Sequence, residues 1–543
     1  MFLERVISLI FQLAMVDYLI IAIYFFFVIF IGLLLRRRVR TSKDFFLAGR
    51  SNPSWIAGLA FISANMGALE LLGMCAGAYE YGFMQVQFYW LGAVPAILFL
   101  ALFMMPLYYG TKVHSVPAYL KLRYNEATRG LNAGIFAIMT LLLSGISMYA
   151  LALIFNILIG WSINQSIILS AVIIGLYVSL GGLTSSIYNE IIQFFLIWFG
   201  LLLLPILGLS EVGGWTGLAA SIPESFSHVW AYTANSSQNA MGIDWIGLVM
   251  GLGFVLSFGY WCTDFLVIQR TLSAKDMEAA QKAPLIGAAV KLVLPFIAIL
   301  PGLLALSLIP GLGQGGQSYN LALPLLIKRY FPPGLIGLGL TALMAGFMSG
   351  MSGNITAFST VWTDDLYKTY INPKASDKHL VWIGRLSVIV GVVISIGTAY
   401  IAMSFPSIMD YMQALFSLIN APLFATILLG MFWKRTTQWG GFFGLLSGIV
   451  IGIAMFALIP ASYFGSVMAA NIWRAWWTWS TCFTVTLFVS LLTKPKSTEE
   501  LEGVVYGMIK KGEIQKQLPW YARPVTWAAV IIICLIIVNV IFF

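Results

Sequence analysis

Three ionisable side chains, Glu70, Glu190 and Lys291, stand inside apolar runs long enough to cross a bilayer. A charge at bilayer centre costs on the order of 2.5–3.5 kcal/mol on insertion scales, so each needs a partner or a wet cavity. Glu70 follows a cluster of small and polar residues, Ser63, Asn65 and Gly67, midway along FFLAGRSNPSWIAGLAFISANMGALELLGM. Unwinding at that depth is tolerated only where it lines a cavity. Carbonyls freed there can coordinate a cation while the half-helix ends orient a solute. Lys291 lies in GAAVKLVLPF, apolar on both sides; its plainer role is to snorkel from a helix end. Glu190, in IYNEIIQ, is either a buried ligand or an interfacial acid facing water.

Other candidates surround these three. In LTALMAGFMSGMSGNITAFSTVW, Gly346, Ser349, Gly350, Ser352 and Gly353 cluster on adjacent turns. They form either a close-packing face or, through the Ser hydroxyls, oxygen ligands for a hard cation. Ser257, Tyr260 and Trp261 lie in GLVMGLGFVLSFGYWCTDF. Aromatic plates with a few placed polar groups suit a small polyol, although interfacial packing is the commoner fate of membrane aromatics. Gln413, in MDYMQALFSLINAP, supplies a donor and an acceptor at the far rim. The motifs of soluble catalysis are missing: no phosphate loop, no HExxH, no G-x-S-x-G, and three His in all. The reading is therefore not an enzyme.

The elements that position these residues are membrane helices. Of 543 residues, 60% are hydrophobic and 9% charged, against roughly 25% charged in a soluble domain. Cys75, Cys262, Cys482 and Cys534 read as packing residues. Apolar runs give about fourteen spans, near 16–35, 54–79, 84–109, 131–159, 164–181, 186–209, 244–266, 283–308, 334–360, 380–403, 408–432, 439–460, 474–493 and 525–543. Met1 to Met15 reads as an amphipathic lead-in without a cleavage signal.

Placing both termini outside puts most Lys and Arg on inner loops. These include Arg36, Arg37, Arg38, Arg40, Lys43, Lys121, Arg123, Arg129, Arg270, Lys368, Lys510, Lys511 and Lys516. The net charge of +9 thus follows from one-sided basic loops and implies no nucleic acid. The second and seventh spans both look interrupted, the seventh by its glycines. Two interrupted segments five spans apart point to inverted five-helix repeats with a shared midplane site.

Several motifs resemble one family. DFFLAGRSNPSW and GGLTSSIYNEIIQ are similar to signatures of the sodium:solute symporters. YWCTDFLVIQRTLSAKDM and MFWKRTTQWG resemble the sodium/glucose cotransporters within it. The resemblance implies an all-α polytopic LeuT-type core at 41–435, with repeats at about 50–212 and 240–435. An extra helix at 1–40 precedes it, and three C-terminal helices at 436–543 follow, with a cytoplasmic loop at 494–524. It implies sodium (Na+) held by carbonyls of Ser63, Met66 and Gly346 and by the Ser349 hydroxyl, with Ser352 one turn away. A second hydroxyl usual in the family is here Gly350. Glu190 replaces an Asp that binds a second ion in some members. The solute positions are Asn65, Glu70, Tyr89, Ser257, Tyr260, Trp261, Lys291 and Gln413. Tyr89 stands where sugar transporters carry Glu, and Glu70 where they carry a neutral residue.

The expectation is a sodium-coupled symporter of a monosaccharide or related polyol in a bilayer, a bacterial inner membrane by family habit. The same fold also serves symporters of organic anions or amino acids, some coupled to protons, with Lys291 as counter-charge. A solute sensor needs an output domain, for which the tail after Thr493 has no room.

Overall fold

The computed structural model describes residues 13–36, 41–67, 69–156, 160–314, 317–405, 407–508 and 518–543. Most of the expected lead-in, and Arg37, Arg38, Arg40, Lys510, Lys511 and Lys516 of the basic set, lie outside those residues. Among the described residues the chain is helical apart from one isolated bridge, Asn52 to Ala274.

The first helices are α1 (Met15–Arg36), α2 (Ser42–Leu47), α3 (Ser54–Asn65) and α4 (Leu69–Val86). They are followed by α5 (Phe88–Gly110), α6 (Val116–Arg123), α7 (Glu126–Ile154) and α8 (Ile163–Leu201). Next come α9 (Gly247–Thr263), α10 (Phe265–Leu272), α11 (Met277–Val293) and α12 (Pro295–Leu308). The rest are α13 (Leu335–Ile371), α14 (Asp377–Ala402), α15 (Ile408–Phe432), α16 (Gln438–Leu458), α17 (Val467–Leu492) and α18 (Pro524–Ile541). Ten described helices are long and apolar enough to span a membrane. Three further pairs qualify together but are bent, α3 to α4 by 63°, α9 to α10 by 48° and α11 to α12 by 47°.

Each bend has a local cause. Helix α3 stops at Asn65 because Met66 adopts ψ 50°, its N–H reaching back to the Ile62 and Ser63 carbonyls. The chain resumes at Leu69 in a widened π-type turn that carries Glu70. The interruption expected in the glycine run of α9 falls elsewhere. Gly247–Leu256 is one continuous widened helix, and the bend comes at Asp264, whose carboxylate caps the Leu266 N–H at 2.9 Å. The glycines serve close packing: a Cβ on Gly251 would lie 2.4 Å from Ile472 Cγ2. The third bend falls at Pro295, where the ring cannot continue the hydrogen-bond ladder.

The loop expected between 181 and 186 is also absent. Helical turns run from Ile163 to Leu201 and change direction at Gly182, whose φ is +54°. A side chain at 182 would sit 2.6 Å from the Phe45 carbonyl oxygen.

Two basic residues assigned to inner loops are in fact core residues. Arg123 is fully buried and donates to the Gly430, Thr436 and Trp433 carbonyls at 2.5, 3.0 and 3.0 Å, closing the end of α15. Arg270 lies on α10, also fully buried.

Helix α13 packs against α1, α3, α7, α8 and α10. Its first turn is capped from α1. Buried Asp17 accepts the Gly334 and Gly337 N–H groups through Oδ1, both at 2.7 Å, and the Ala14 N–H through Oδ2 at 2.9 Å. A carboxylate suits the positive end of a helix whose first N–H groups lack intrahelical partners. Asp17→Ala is expected to cost about 2 kcal/mol of stability, read as a lower unfolding temperature of the purified protein. Asp17→Asn, which keeps an acceptor, should recover part of it.

Candidate solute and ion sites

All eight sequence-derived solute residues line one cavity at the level of the first bend. Asn65, Glu70, Tyr89, Ser257, Tyr260, Trp261, Lys291 and Gln413 are joined there by Leu69, Met74, Phe88 and Phe416. Glu70 Oε1 and Lys291 Nζ form an ion pair at 2.7 Å, with both side chains almost wholly buried. Tyr89 OH donates to the other Glu70 oxygen. The Lys291 ammonium also stands over two aromatic faces, 4.7 Å from the Tyr89 centroid and 5.0 Å from that of Trp261. Such faces attract a desolvated cation. The three groups lie on α4, α5 and α11, and π-type turns at Leu69–Gly73 and Phe88–Ala93 aim Glu70 and Tyr89 at each other.

The remaining wall is polar in a few places. Asn65 Nδ2 donates to Tyr260 OH at 2.8 Å, while its Oδ1 is buried without a partner. Tyr260 packs on Phe416, ring centroids 4.8 Å apart, and edge-on to Trp261 at 5.1 Å. Gln413 Nε2 has only the Met409 sulfur at 3.9 Å, and Ser257 Oγ donates to the Leu252 carbonyl at 2.8 Å. The cavity volume is about 40 Å³, room for water but not for a sugar ring. The aromatic plates must part to admit a solute.

A second cluster lies beside the break, between α3 and α13. Ser349 Oγ donates to the Ser63 carbonyl at 2.9 Å, and its oxygen lies 3.3 Å from Ser63 Oγ. Met66 O faces Gly346 so closely that a Cβ there would sit 2.8 Å from it. Ser63, Met66, Gly346 and Ser349 thus converge on the unwound turn, and their neutral carbonyl and hydroxyl oxygens suit a hard monovalent cation. Gly350 departs from the family pattern for a visible reason. It packs on Gly67, and a Cβ at 350 would be 3.0 Å from the Gly67 Cα. The same point is 3.5 Å from Ser147 Oγ, so a hydroxyl on α7 faces the gap.

Ser352 turns the other way. Its hydroxyl donates to the Ser349 carbonyl at 3.0 Å and meets Ser186 Oγ at 3.1 Å. Ser186 in turn donates to Glu190 Oε1 at 2.7 Å. Glu190 is engaged throughout: Arg270 Nη2 reaches Oε1 at 2.5 Å and Nε reaches Oε2 at 3.3 Å, both side chains fully buried. The structure therefore places a resident guanidinium where the sequence suggested a second ion.

A model of the sodium:solute symporter family matches residues 45–448. The chain belongs to that family. Relatives include a sodium/glucose cotransporter of Vibrio parahaemolyticus, 27% identical over 459 residues, covering 80% of this chain and 84% of that one. Sodium/glucose cotransporter 1 of Oryctolagus cuniculus is 30% identical over 474 residues, covering 81% and 71%. A sodium/mannose cotransporter of Bos taurus is 27% identical over 474 residues, covering 81% and 79%. Among solved structures, a substrate-bound, outward-open Na+-coupled sialic acid symporter superposes with a TM-score of 0.74 at 19% identity, covering 89% of this chain and 99% of that one. A nucleobase-cation-symport-1 transporter gives 0.51 at 12% identity, covering 85% and 97%. These two share the fold. The chain is thus an integral multi-pass membrane protein of a transporter family whose coupling ion is sodium.

Sequence reasoning missed Arg270, Ser186, Asp17 and Ser147 in this symporter. Arg270 stands in QRTLSAK, where a basic residue beside Ser and Lys reads as loop. Removing one member of a buried ion pair leaves an uncompensated charge and costs about 3–5 kcal/mol. Glu190→Gln is accordingly expected to destabilise the fold sharply, and Glu190→Gln with Arg270→Gln to recover part of that loss in thermal unfolding. Additive losses in the double variant would show that the pair is not coupled.

Proposed function

We propose that this protein is a sodium-coupled symporter importing a monosaccharide or related polyol by alternating access. The observation that carries the reading is the internally neutralised cavity. Lys291 is balanced by Glu70 at 2.7 Å, which leaves a wall of aromatic faces and amides without net charge. An unsatisfied buried acceptor at Asn65 Oδ1 asks for a solute O–H, since such an atom costs about 1–3 kcal/mol left alone. Asn65, Glu70, Tyr89, Ser257, Tyr260, Trp261, Lys291 and Gln413 hold the solute. Ser63, Met66, Gly346 and Ser349 hold one sodium, with Ser147 facing the position left bare by Gly350. Arg270 supplies the charge that a second cation would bring to Glu190 and Ser352, so one ion moves per solute.

The ten long helices, three bent pairs and the shorter apolar helix Ile163–Leu176 are read as fourteen crossings. They form LeuT-type inverted repeats at 50–212 and 240–435, with both termini outside, in a bacterial inner membrane; the compact basic loops support this placement. A membrane potential of 100 mV supplies about 2.3 kcal/mol per charge and a tenfold gradient about 1.4. One sodium then sustains roughly 500-fold accumulation of a neutral solute.

Purified protein in liposomes is expected to take up a labelled hexose or inositol only with an inward sodium gradient, at a charge-to-solute ratio of one. Lys291→Ala should abolish solute binding and leave sodium binding intact; retained solute affinity would refute the assignment. Carboxylate or amino-acid uptake in place of sugar would establish the alternative, in which a solute anion displaces Glu70 from Lys291. Glu70→Gln frees the Lys291 charge and is expected to weaken sugar uptake while admitting monocarboxylates, measured by competition against the labelled sugar.

A further inference from the structure

A cavity of about 380 Å³ lies apart from the candidate solute site. It opens between α2, the segment before α6, the start of α7 and the end of α13, on the face that carries the basic loops. Lys43, His114, Lys121 and Lys368 form its walls, with Arg129, Asp364 and Asp365 at its floor. Four cations, Lys43, Lys121, Arg129 and Lys368, outnumber the acids Asp364, Asp365 and the neighbouring Glu126, although the Asp364 carboxylate attracts Lys368. Arg129 Nε is bound to Asp365 Oδ1 at 2.9 Å and its Nη2 to the Asp364 carbonyl at 3.1 Å. Glu126 holds Lys121 at 2.8 Å and Arg129 at 3.5 Å. Lys43 and Lys368 have no ion-pair partner among the described residues. Burial first, and then Arg50, Lys368 and Lys43, hold the His114 imidazole below its ordinary range, so three cations converge on this one ring.

One further atom narrows the chemistry. Asp365 is 1% exposed; Arg129 and the Ser115 hydroxyl both engage its carboxylate, and its Oδ2 has no further hydrogen-bond partner among the described residues. A cavity with cationic walls and one buried acceptor fits an anion that also carries an O–H donor. Inorganic phosphate is such a group, since both of its ionisation states near neutral pH keep an O–H; a phosphate monoester, whose second ionisation lies near pH 6, keeps the singly protonated form there as a minority that the acceptor would select. Sulfate and phosphodiesters have no proton to offer.

We propose that this cavity binds a singly protonated phosphate group, with its oxygens on Lys43, Lys368 and His114 and its P–OH donating to Asp365. The phosphate comes either from solution or from the headgroup of a lipid bearing a phosphomonoester. Its position ties α2, which leads into the broken span, to the inner end of α13.

The test is direct binding to the purified protein in detergent, independent of any transported solute. Radiolabelled inorganic phosphate in equilibrium dialysis is expected to bind saturably, with sulfate at least tenfold weaker as competitor. Vesicles of phosphatidylcholine with phosphatidic acid, against phosphatidylcholine with phosphatidylglycerol, decide the source. Competition by phosphatidic acid alone assigns the site to the headgroup, and its absence beside phosphate binding assigns it to the soluble ion. Lys43→Gln with Lys368→Gln, both exposed and in no ion pair among the described residues, should weaken binding ten- to a hundredfold, as expected for losing charge-assisted hydrogen bonds. Equal binding of phosphate and sulfate, no binding of phosphate in either form, or an unchanged affinity in the double variant overturns the proposal.

Discussion

Every backbone group released where α3 gives way to α4 has to find its partner within the protein, because hydrocarbon offers none. Much of the structure follows from that requirement. Met66 and Gly67 turn their N–H groups back onto α3 and the Asn65 carbonyl, leaving carbonyls that need a close-packed neighbour able to bring a hydroxyl to them. Helix α13 is that neighbour. Its glycines at 346 and 350 bring the two backbones within contact, and Ser349 spans the remaining distance to Ser63. The position of α13 is set in turn by Asp17 at its first turn and by α8 along its side.

Two of the buried ion pairs among the described residues, Glu190–Arg270 and Glu70–Lys291, have different characters. Glu190 and Arg270 lie in a fully enclosed cluster, where the planar guanidinium also reaches Ser186, Thr356 and the Leu266 carbonyl. That fork geometry satisfies several acceptors at once and fixes α10 against α8 and α13. Glu70 and Lys291 border a cavity and share their surroundings with aromatic faces; on the proposed reading the pair exchanges partners with a solute. A compact ammonium on a flexible stem suits the second task as the rigid fork suits the first.

Membrane character and the first break were legible because they rest on local signals, whereas the eight residues that share one cavity came together as a set only through the family resemblance, Tyr89 by that route alone. Uncharged runs announce spans, and small polar residues next to a carboxylate announce a break. The seventh span is interrupted as expected, but at Asp264 and not in its glycine run, because glycine in a membrane helix marks either unwinding or close approach. Only the neighbours Ile472 and Leu91 show that α9 uses it for approach. Arg270 and Arg123 were counted with the loops because charge counting along a chain carries no information on burial. Ser352 points away from the first ion cluster because α13 rotates it toward α8, an orientation set by packing. Asp17 was invisible for a simpler reason: its capping partners lie more than 300 positions away.

The bridge between Asn52 and the segment after α10 has a mechanical meaning. Asn52 accepts the Lys275 N–H at 2.9 Å, donates to the Ser273 carbonyl at 3.2 Å and adds a side-chain bond to Ser273 Oγ at 3.0 Å. The start of α3 and the end of α10 are therefore tied by a single bridge, and α3 carries both Ser63 and Asn65. On the proposed reading, a shift of either tip reaches the candidate ion and solute positions together, which leaves little opportunity for one to be released without the other.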